Sequence, residues 1–270
     1  MRPYVSSFGF LRLFGSLVLP LLMGISSQCG LLQAQSQTFP YQLSTRGEVA
    51  WLTTGALGFG VARALPHPSV LTSEQRIALT GEGLPFLDRP WANRYSPASG
   101  RRSDVLLGSA MGLAVATPLL PAQKSFWSRS WTLGMMCLEA NVQTYSLTEI
   151  SKRTVGRVRP YAYSQSTAPE TLWTSDDARA SFFSGHSSIA ACNAAFAATV
   201  FSDLYPNSKW KPWVWAGAVA LPTITAVERV RAGKHFPTDV LVGLAVGAAV
   251  GHVVPRLHHV KAAPIPKPML

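Results

Sequence analysis

The feature that most restricts how this chain can fold is a set of six apolar segments, each rich in small residues. Ala, Gly, Leu and Val predominate in them, as in "VLVGLAVGAAVGHVV" at residues 240–254. Such runs, in a chain without an Asn-Gly or Asp-Gly hairpin turn, predict helices rather than strands. The predicted fold is all-α, a bundle of about six core helices at approximately residues 48–65, 104–121, 129–151, 185–203, 212–228 and 237–256.

We expect these helices to be transmembrane, although their lengths are short for that purpose. A full span needs about 20 apolar residues, and the mean hydropathy of the chain is only +0.16. Small residues let helices pack closely in a membrane, but they would equally suit a tightly packed soluble domain. The third segment carries Glu139, so it cannot face lipid on every side. That glutamate is either functional or paired inside the bundle.

The N-terminal residues have the order of a secretory signal peptide. Arg2 and Arg12 precede an apolar stretch, small and polar residues follow, and cleavage is expected after Ala34. Retention as an uncleaved signal anchor is the alternative. We divide the chain into a signal peptide at 1–34, an N-terminal helix and long loop at 35–103, a core at 104–256 and a flexible tail at 257–270.

The chain is basic, with 24 Lys and Arg against 13 Asp and Glu. This excess favours an anionic partner, or basic flanks that orient membrane helices. The cations are scattered rather than arranged along one helix, so we expect no nucleic-acid partner. The three cysteines form no CxxC or Cys/His cluster, and therefore predict neither a disulfide framework nor a zinc site.

Three polar clusters lie at the ends of apolar segments: "KRTVGRVRP" at 152–160, "FFSGHSS" at 182–188 and "VERVRAGKHFPTDV" at 227–240. If consecutive helices are antiparallel, all three clusters meet on the same side of the bundle. Taken singly, each has a simpler reading, because cations often flank helices and Ser or Gly often caps them. Their combination is what indicates a site.

The clusters contain the residue types that bind and attack a tetrahedral anion. The cations Lys152, Arg159 and Arg229 suit phosphate oxygens. Ser184 and Gly185 open a helix, where free backbone N–H groups favour an anion, and His186 follows, placed to transfer a proton. His235 and Asp239 are spaced i, i+4. That spacing predicts that Asp239 contacts one ring nitrogen of His235 and leaves the other free to attack.

These residues resemble the signature of the type 2 phosphatidic acid phosphatase (PAP2) superfamily, which includes class A acid phosphatases and vanadium haloperoxidases. The signature has three parts: Lys, six residues, Arg-Pro; Pro-Ser-Gly-His; and Ser-Arg, five residues, His, three residues, Asp. The first part is complete here, whereas Phe183 replaces the Pro of the second and Glu228 the Ser of the third. Glu228, a negative charge beside a phosphate site, is expected to point away or to pair with Arg231 or Lys152. The resemblance covers roughly residues 100–256.

The resemblance implies a mechanism without metal or other cofactor. His235 would attack phosphorus and form a phosphohistidine, Asp239 would orient it, and His186 would protonate the leaving oxygen and then activate water. The residues that would hold the phosphoryl oxygens are Lys152, Arg159, Ser184, Gly185 and Arg229.

The expected activity is hydrolysis of a phosphomonoester or diphosphate on a membrane lipid, such as phosphatidate, an isoprenyl diphosphate or lipid A. The alternatives are a soluble periplasmic acid phosphatase of the class A type, a vanadate-dependent haloperoxidase and an inactive membrane scaffold. We expect a multi-pass protein of the bacterial cell envelope. We expect its site to face the periplasm, which requires that residues 48–65 fail to span; if they do span, the site would face the cytoplasm.

Overall fold

The computed structural model describes residues 39–120, 126–164 and 168–260, so the predicted signal peptide and most of the predicted tail lie outside the described residues. Residues from Pro40 onward form one compact unit. Its described parts contain eight α-helices: α1 Thr45–Ala64, α2 Ser73–Ile77, α3 Pro97–Ala116, α4 Phe126–Val155, α5 Glu170–Trp173, α6 Gly185–Leu204, α7 Lys211–Arg231 and α8 Pro237–Leu257.

The six long helices correspond to the six predicted segments, and the all-α prediction is confirmed. The described residues form no sheet, and Tyr41 and His259 alone make an isolated bridge. α3 starts seven residues before the predicted segment (97 against 104), because Ser96 accepts a hydrogen bond from the N–H of Ser99 and Pro97 occupies the first turn. The domain boundary expected between 103 and 104 therefore falls inside α3.

α6 is the central helix of the unit, and it packs against α3, α4, α7 and α8. Its contact with α8 is made through backbone rather than through large side chains. Gly247 and Gly251 face α6 so closely that a Cβ atom on them would lie 1.9 Å from the Ser188 carbonyl oxygen and 2.1 Å from that of Cys192. The small residues of the sixth segment therefore allow the two helices to touch.

The outer faces of the long helices expose large apolar side chains to an extent that is unusual for a soluble monomer. Exposed residues of this kind occur on α1, α3, α4, α7 and α8: Leu57, Val105, Val115, Trp127, Trp131, Leu147, Trp213, Val219 and Leu241. Within the described residues, α8 alone has both the length and the apolar composition of a membrane span. Such composition is also found in core helices of soluble proteins.

Candidate active site

The three polar clusters meet at one end of the bundle, where α4 and α7 end and α6 and α8 begin. Nη1 of Arg159 lies 3.2 Å from Nε2 of His235, and the N–H of Ser184 donates to the Asp239 carbonyl oxygen at 3.1 Å. Nζ of Lys152 lies 3.6 Å from the position that a Cβ on Gly185 would occupy. The predicted convergence of distant chain segments is therefore present in the structure.

His235 is buried, and its two neighbours fix its tautomer. Nδ1 lies 2.6 Å from the carbonyl oxygen of Ser181, which can only accept a hydrogen bond, so Nδ1 carries the proton. The guanidinium of Arg159, which can only donate, faces Nε2. Nε2 consequently carries the unprotonated electron pair of the ring, which accepts a hydrogen bond from Arg159, and a nitrogen nucleophile needs such an unprotonated nitrogen.

The environment keeps this imidazole neutral. Burial, together with the nearby charges of Arg159 and Arg229, holds the pKa of His235 well below its ordinary value.

Asp239 lies beside the site, but its carboxylate does not make the contact with His235 that the spacing predicted. Within the described residues its hydrogen bonds come from Oγ of Ser181 at 2.5 Å, from the N–H of Phe236 at 2.8 Å and from Arg157 at 2.5 Å. None comes from His235, because His235 precedes the first residue of α8 and the i, i+4 geometry of a helix does not apply to it. Asp239 instead supports Ser181, whose carbonyl group holds His235.

Arg157 links this support to the long loop before α3, and the sequence reasoning did not single it out. Its guanidinium donates to Asp239 and, at 2.6 Å, to Asp88, whose side chain is fully buried. Asp88 also accepts from the N–H and hydroxyl groups of Thr238. One partly buried cation thus bridges two buried carboxylates. Its presence in "KRTVGRVRP" was the available clue, but no local pattern distinguishes it from a flanking charge.

His186 has a carboxylate partner that the sequence reasoning missed. Its Nε2 lies 2.8 Å from Oδ1 of Asp104, which projects from α3. A carboxylate in this position orients the ring of a candidate general acid. The only signal in the sequence is an acidic residue at the start of an apolar segment.

The predicted phosphate-binding cations lie around His235, and they differ in the partners that they already contact. Lys152 pairs with Glu149 at 2.8 Å. Arg229 is buried, lies 3.8 Å from Asp104, and leaves its Nε without a hydrogen-bond partner in the described part of the chain. An unsatisfied guanidinium nitrogen in a buried position favours a bound anion.

Arg159 already binds a carboxylate, that of Asp177, at 2.6 Å. Burial would raise the pKa of this carboxyl group, but Arg159 and Lys234 outweigh it and lower the pKa. Lys234 is a further cation of the pocket, 4.0 Å from Asp177. Burial and the charge of Arg159 lower its pKa to about 8.

Ser184 serves as the N-cap of α6. Its Oγ accepts from the N–H of Ser187 at 3.3 Å, and its own N–H is taken by Asp239. Phosphate contact by Ser184 would therefore have to come from its hydroxyl hydrogen. Gly185 begins the helix next to Lys152, at a position where a Cβ atom would lie only 3.2 Å from Cγ2 of Thr148. The binding roles of both residues stay predictions.

The two departures from the resemblance leave the pocket intact. Glu228 pairs with Arg102 at 2.9 Å and with Arg231 at 3.2 Å, so the expected pairing with Arg231 is present and the pairing with Lys152 is not seen. Phe183 is buried beside Phe182 and adds no polar group.

The sequence is similar to a known protein family. The family model described as the PAP2 superfamily matches residues 131–262. Phospholipid phosphatase 1 of Rattus norvegicus is 30% identical over 130 residues, which are 40% of this chain and 46% of the rat protein. The chain therefore spans about half the length of that relative.

Two bacterial matches cover more of the chain. Phosphatidylglycerophosphatase B of Bacillus subtilis is 27% identical over 188 residues, 69% of this chain and 84% of that protein. A crystal structure of a transmembrane PAP2 type phosphatidylglycerolphosphate phosphatase from Bacillus subtilis matches with a TM-score of 0.47 and 22% identity, and it covers 78% of this chain and 94% of that one.

Proposed function

This chain belongs to the PAP2 superfamily, and from that premise we propose that it is a phosphatase that releases phosphate from a membrane lipid. The observation that carries the proposal is the state of His235. The neutral imidazole carries its proton on Nδ1, where the Ser181 carbonyl group accepts it, and its unprotonated Nε2 faces Arg159. The charges of Arg229 and Lys152 also act on the ring. This combination suits attack on an anionic phosphoryl group.

In the first step, Nε2 of His235 forms a bond to phosphorus while the bond from phosphorus to the lipid oxygen breaks. The electron pair of that bond stays on the leaving oxygen, which takes a proton from the imidazolium of His186. Asp104 holds Nε2 of His186, so the other ring nitrogen is the donor. The products are a phosphohistidine and a lipid alcohol.

In the second step, the now neutral His186 takes a proton from water as the water oxygen bonds to phosphorus. The bond between phosphorus and Nε2 breaks, its electron pair returns to His235, and inorganic phosphate leaves. Lys152, Arg159 and Arg229 would stabilise the charge that accumulates on the phosphoryl oxygens in both steps. The incoming phosphate would compete with Asp177 for Arg159, because both are anions for the same guanidinium.

Two observations favour a lipid over a soluble phosphate ester. The outer helix faces expose large apolar side chains. In addition, Trp127 and Trp131 at the start of α4, and Trp210 and Trp213 at the start of α7, are exposed at the end opposite the site. Trp at such a level is typical of a membrane–water interface. The protein would then lie in the membrane with its site at the opposite surface, which we propose faces the periplasm.

The phosphate substrates named by the relatives point to a glycerophospholipid, so phosphatidate and phosphatidylglycerol phosphate are the first candidates. Isoprenyl diphosphate and lipid A belong in the same hydrolysis panel. A soluble acid phosphatase would instead appear in osmotic-shock fluid without detergent.

The test combines a variant with a trapped intermediate. His235→Asn should abolish phosphate release and the acid-labile labelling of the protein by a ³²P-labelled substrate. His252→Asn is the matched control, since this histidine lies in α8 and contacts Thr199, away from the site. Turnover by His235→Asn comparable to that of the parent would refute the proposal, as would halide oxidation with vanadate in place of hydrolysis.

A further inference from the structure

A second cluster of polar side chains is buried far from the phosphatase site. Glu48 in the first turn of α1, Glu139 in the middle of α4 and His258 just after α8 each direct one ligand atom to a common point, and those atoms lie within 4.8 Å of one another. Residue 258 is at the opposite end of α8 from His235, about 30 Å away at 1.5 Å per residue. The cluster therefore has no part in the proposed reaction.

Glu139 is not satisfied by the protein alone. Its side chain is 1% exposed, and neither carboxylate oxygen has a hydrogen-bond partner among the described residues. The described contacts give neither Glu139 nor Glu48 a Lys or Arg partner, and Oε2 of Glu48 is also buried without a hydrogen bond. Two buried carboxylates facing each other need a compensating positive charge.

The tautomer of His258 suits a metal ligand. Its Nδ1 lies 2.9 Å from the carbonyl oxygen of Val254, which places the proton on Nδ1 and leaves the electron pair on Nε2. Nε2 lies 3.1 Å from Oε1 of Glu48 and 3.3 Å from Oε2 of Glu139. Ligands about 2.0–2.1 Å from a tetrahedral zinc ion are separated by roughly 3.3 Å, which the two distances from His258 match, and the carboxylate atoms of the cluster lie within 4.8 Å of each other.

We propose that Glu48, Glu139 and His258 bind one divalent transition-metal ion, for which zinc is the best fit to one nitrogen and two carboxylate ligands. The ion would neutralise both carboxylates. A proton shared between Glu139 and Glu48, with a second proton on His258, would also balance the charge without metal, and zinc retention distinguishes the two arrangements. The ion would also join α1 to α4 and α8, so its role is structural.

The experiment uses tag-free, full-length protein in mild detergent, stripped with a chelator and then titrated with zinc sulfate. Metal retained after desalting is measured by mass spectrometry, and unfolding by heat is followed in parallel. One zinc ion per chain should be retained, and the Tm should rise with zinc concentration. Glu139→Gln should weaken zinc binding by more than about 100-fold, because it removes a ligand.

Two controls separate this site from other residues. Asp203→Asn removes a nearby carboxylate that pairs with Arg256 and His259 rather than with the cluster, and it should retain zinc. His235→Asn should also retain zinc, which excludes binding at the phosphatase site and makes the result independent of hydrolysis.

Failure of the parent protein to retain zinc, or full retention by Glu139→Gln, would overturn the proposal. Should Glu139→Gln fail to fold, cobalt substitution of the parent decides the matter. A tetrahedral site gives cobalt an intense visible absorption band, and absence of that band at one equivalent would also overturn the assignment.

Discussion

Ser181 offers the sharpest test of how the nucleophile is held. Its side chain donates to Asp239 at 2.5 Å, and its backbone carbonyl accepts from Nδ1 of His235 at 2.6 Å. In this arrangement the carboxylate acts on the imidazole only through Ser181. We predict that Ser181→Ala slows the reaction although it removes no group that touches the substrate.

The magnitude follows from the bond that is lost. A hydrogen bond to a charged group contributes about 1.5–3 kcal/mol, and Ser181 is fully buried, so solvent cannot replace it. If the whole loss raised the activation barrier, the rate would fall by at most roughly 150-fold, because about 1.4 kcal/mol corresponds to a factor of ten. Some of the loss appears as reduced stability, and we therefore expect kcat to fall about 10–100-fold.

The assay is steady-state release of phosphate, with kcat and KM determined separately. KM should stay within about twofold, because Lys152, Arg159 and Arg229 are untouched. Ser146→Ala is the matched control: this serine is also buried and donates one hydrogen bond, to the Gly55 carbonyl oxygen, but it lies in α4 away from His235. Both variants should lose similar stability, of the order of 1 kcal/mol, and only Ser181→Ala should lose turnover.

If Asp239 instead contacted His235 directly, Ser181→Ala would keep nearly its full kcat. Parental kcat in this variant, or a change confined to KM, would therefore refute the proposed path through Ser181.

Three further predictions concern the acid, the pocket charge and the helix packing. Asp104→Asn should lower kcat about tenfold on a lipid phosphate, short of the 10²–10⁴-fold expected for loss of a general acid, because its side chain is 60% exposed. The loss should vanish with p-nitrophenyl phosphate, whose leaving group needs no proton. Since the pKa of Lys234 is about 8, its charge disappears above that pH, and KM should rise up to about tenfold by pH 9; Lys234→Arg should remove the rise. Gly247→Ala, which places a methyl group 1.9 Å from the Ser188 carbonyl oxygen, should destabilise the protein by about 2–3 kcal/mol in thermal unfolding. Gly217→Ala, where nothing lies within 4 Å, should not.

The helices and the meeting of the three clusters could be predicted because both depend on local information. Small apolar residues set the helix lengths, and antiparallel order alone brings the ends of α4 and α7 to the starts of α6 and α8. Signature spacing then identifies Arg159, His186 and His235 without knowledge of their contacts.

The supporting residues could not be predicted, because each reaches its partner across the fold. Asp104 meets His186 from 82 positions away, and Asp88 meets Arg157 from 69. The error over Asp239 has the same origin. Its spacing from His235 suggested one helix, whereas the chain bends at Phe236 before α8 begins.

The touching backbones of α6 and α8 constrain how a bulky lipid can enter. His186 is the second residue of α6, and His235 lies two residues before α8, so the proton donor and the nucleophile lie at the start of one closely packed block of two helices. The seam of that block contains almost no deformable side chains. Arg229 and Asp104 come from α7 and α3, outside that block. Any widening of the entrance must therefore come from α3, α7 or the loop that carries Asp88, and the distance between the two imidazoles would stay constant throughout the catalytic cycle.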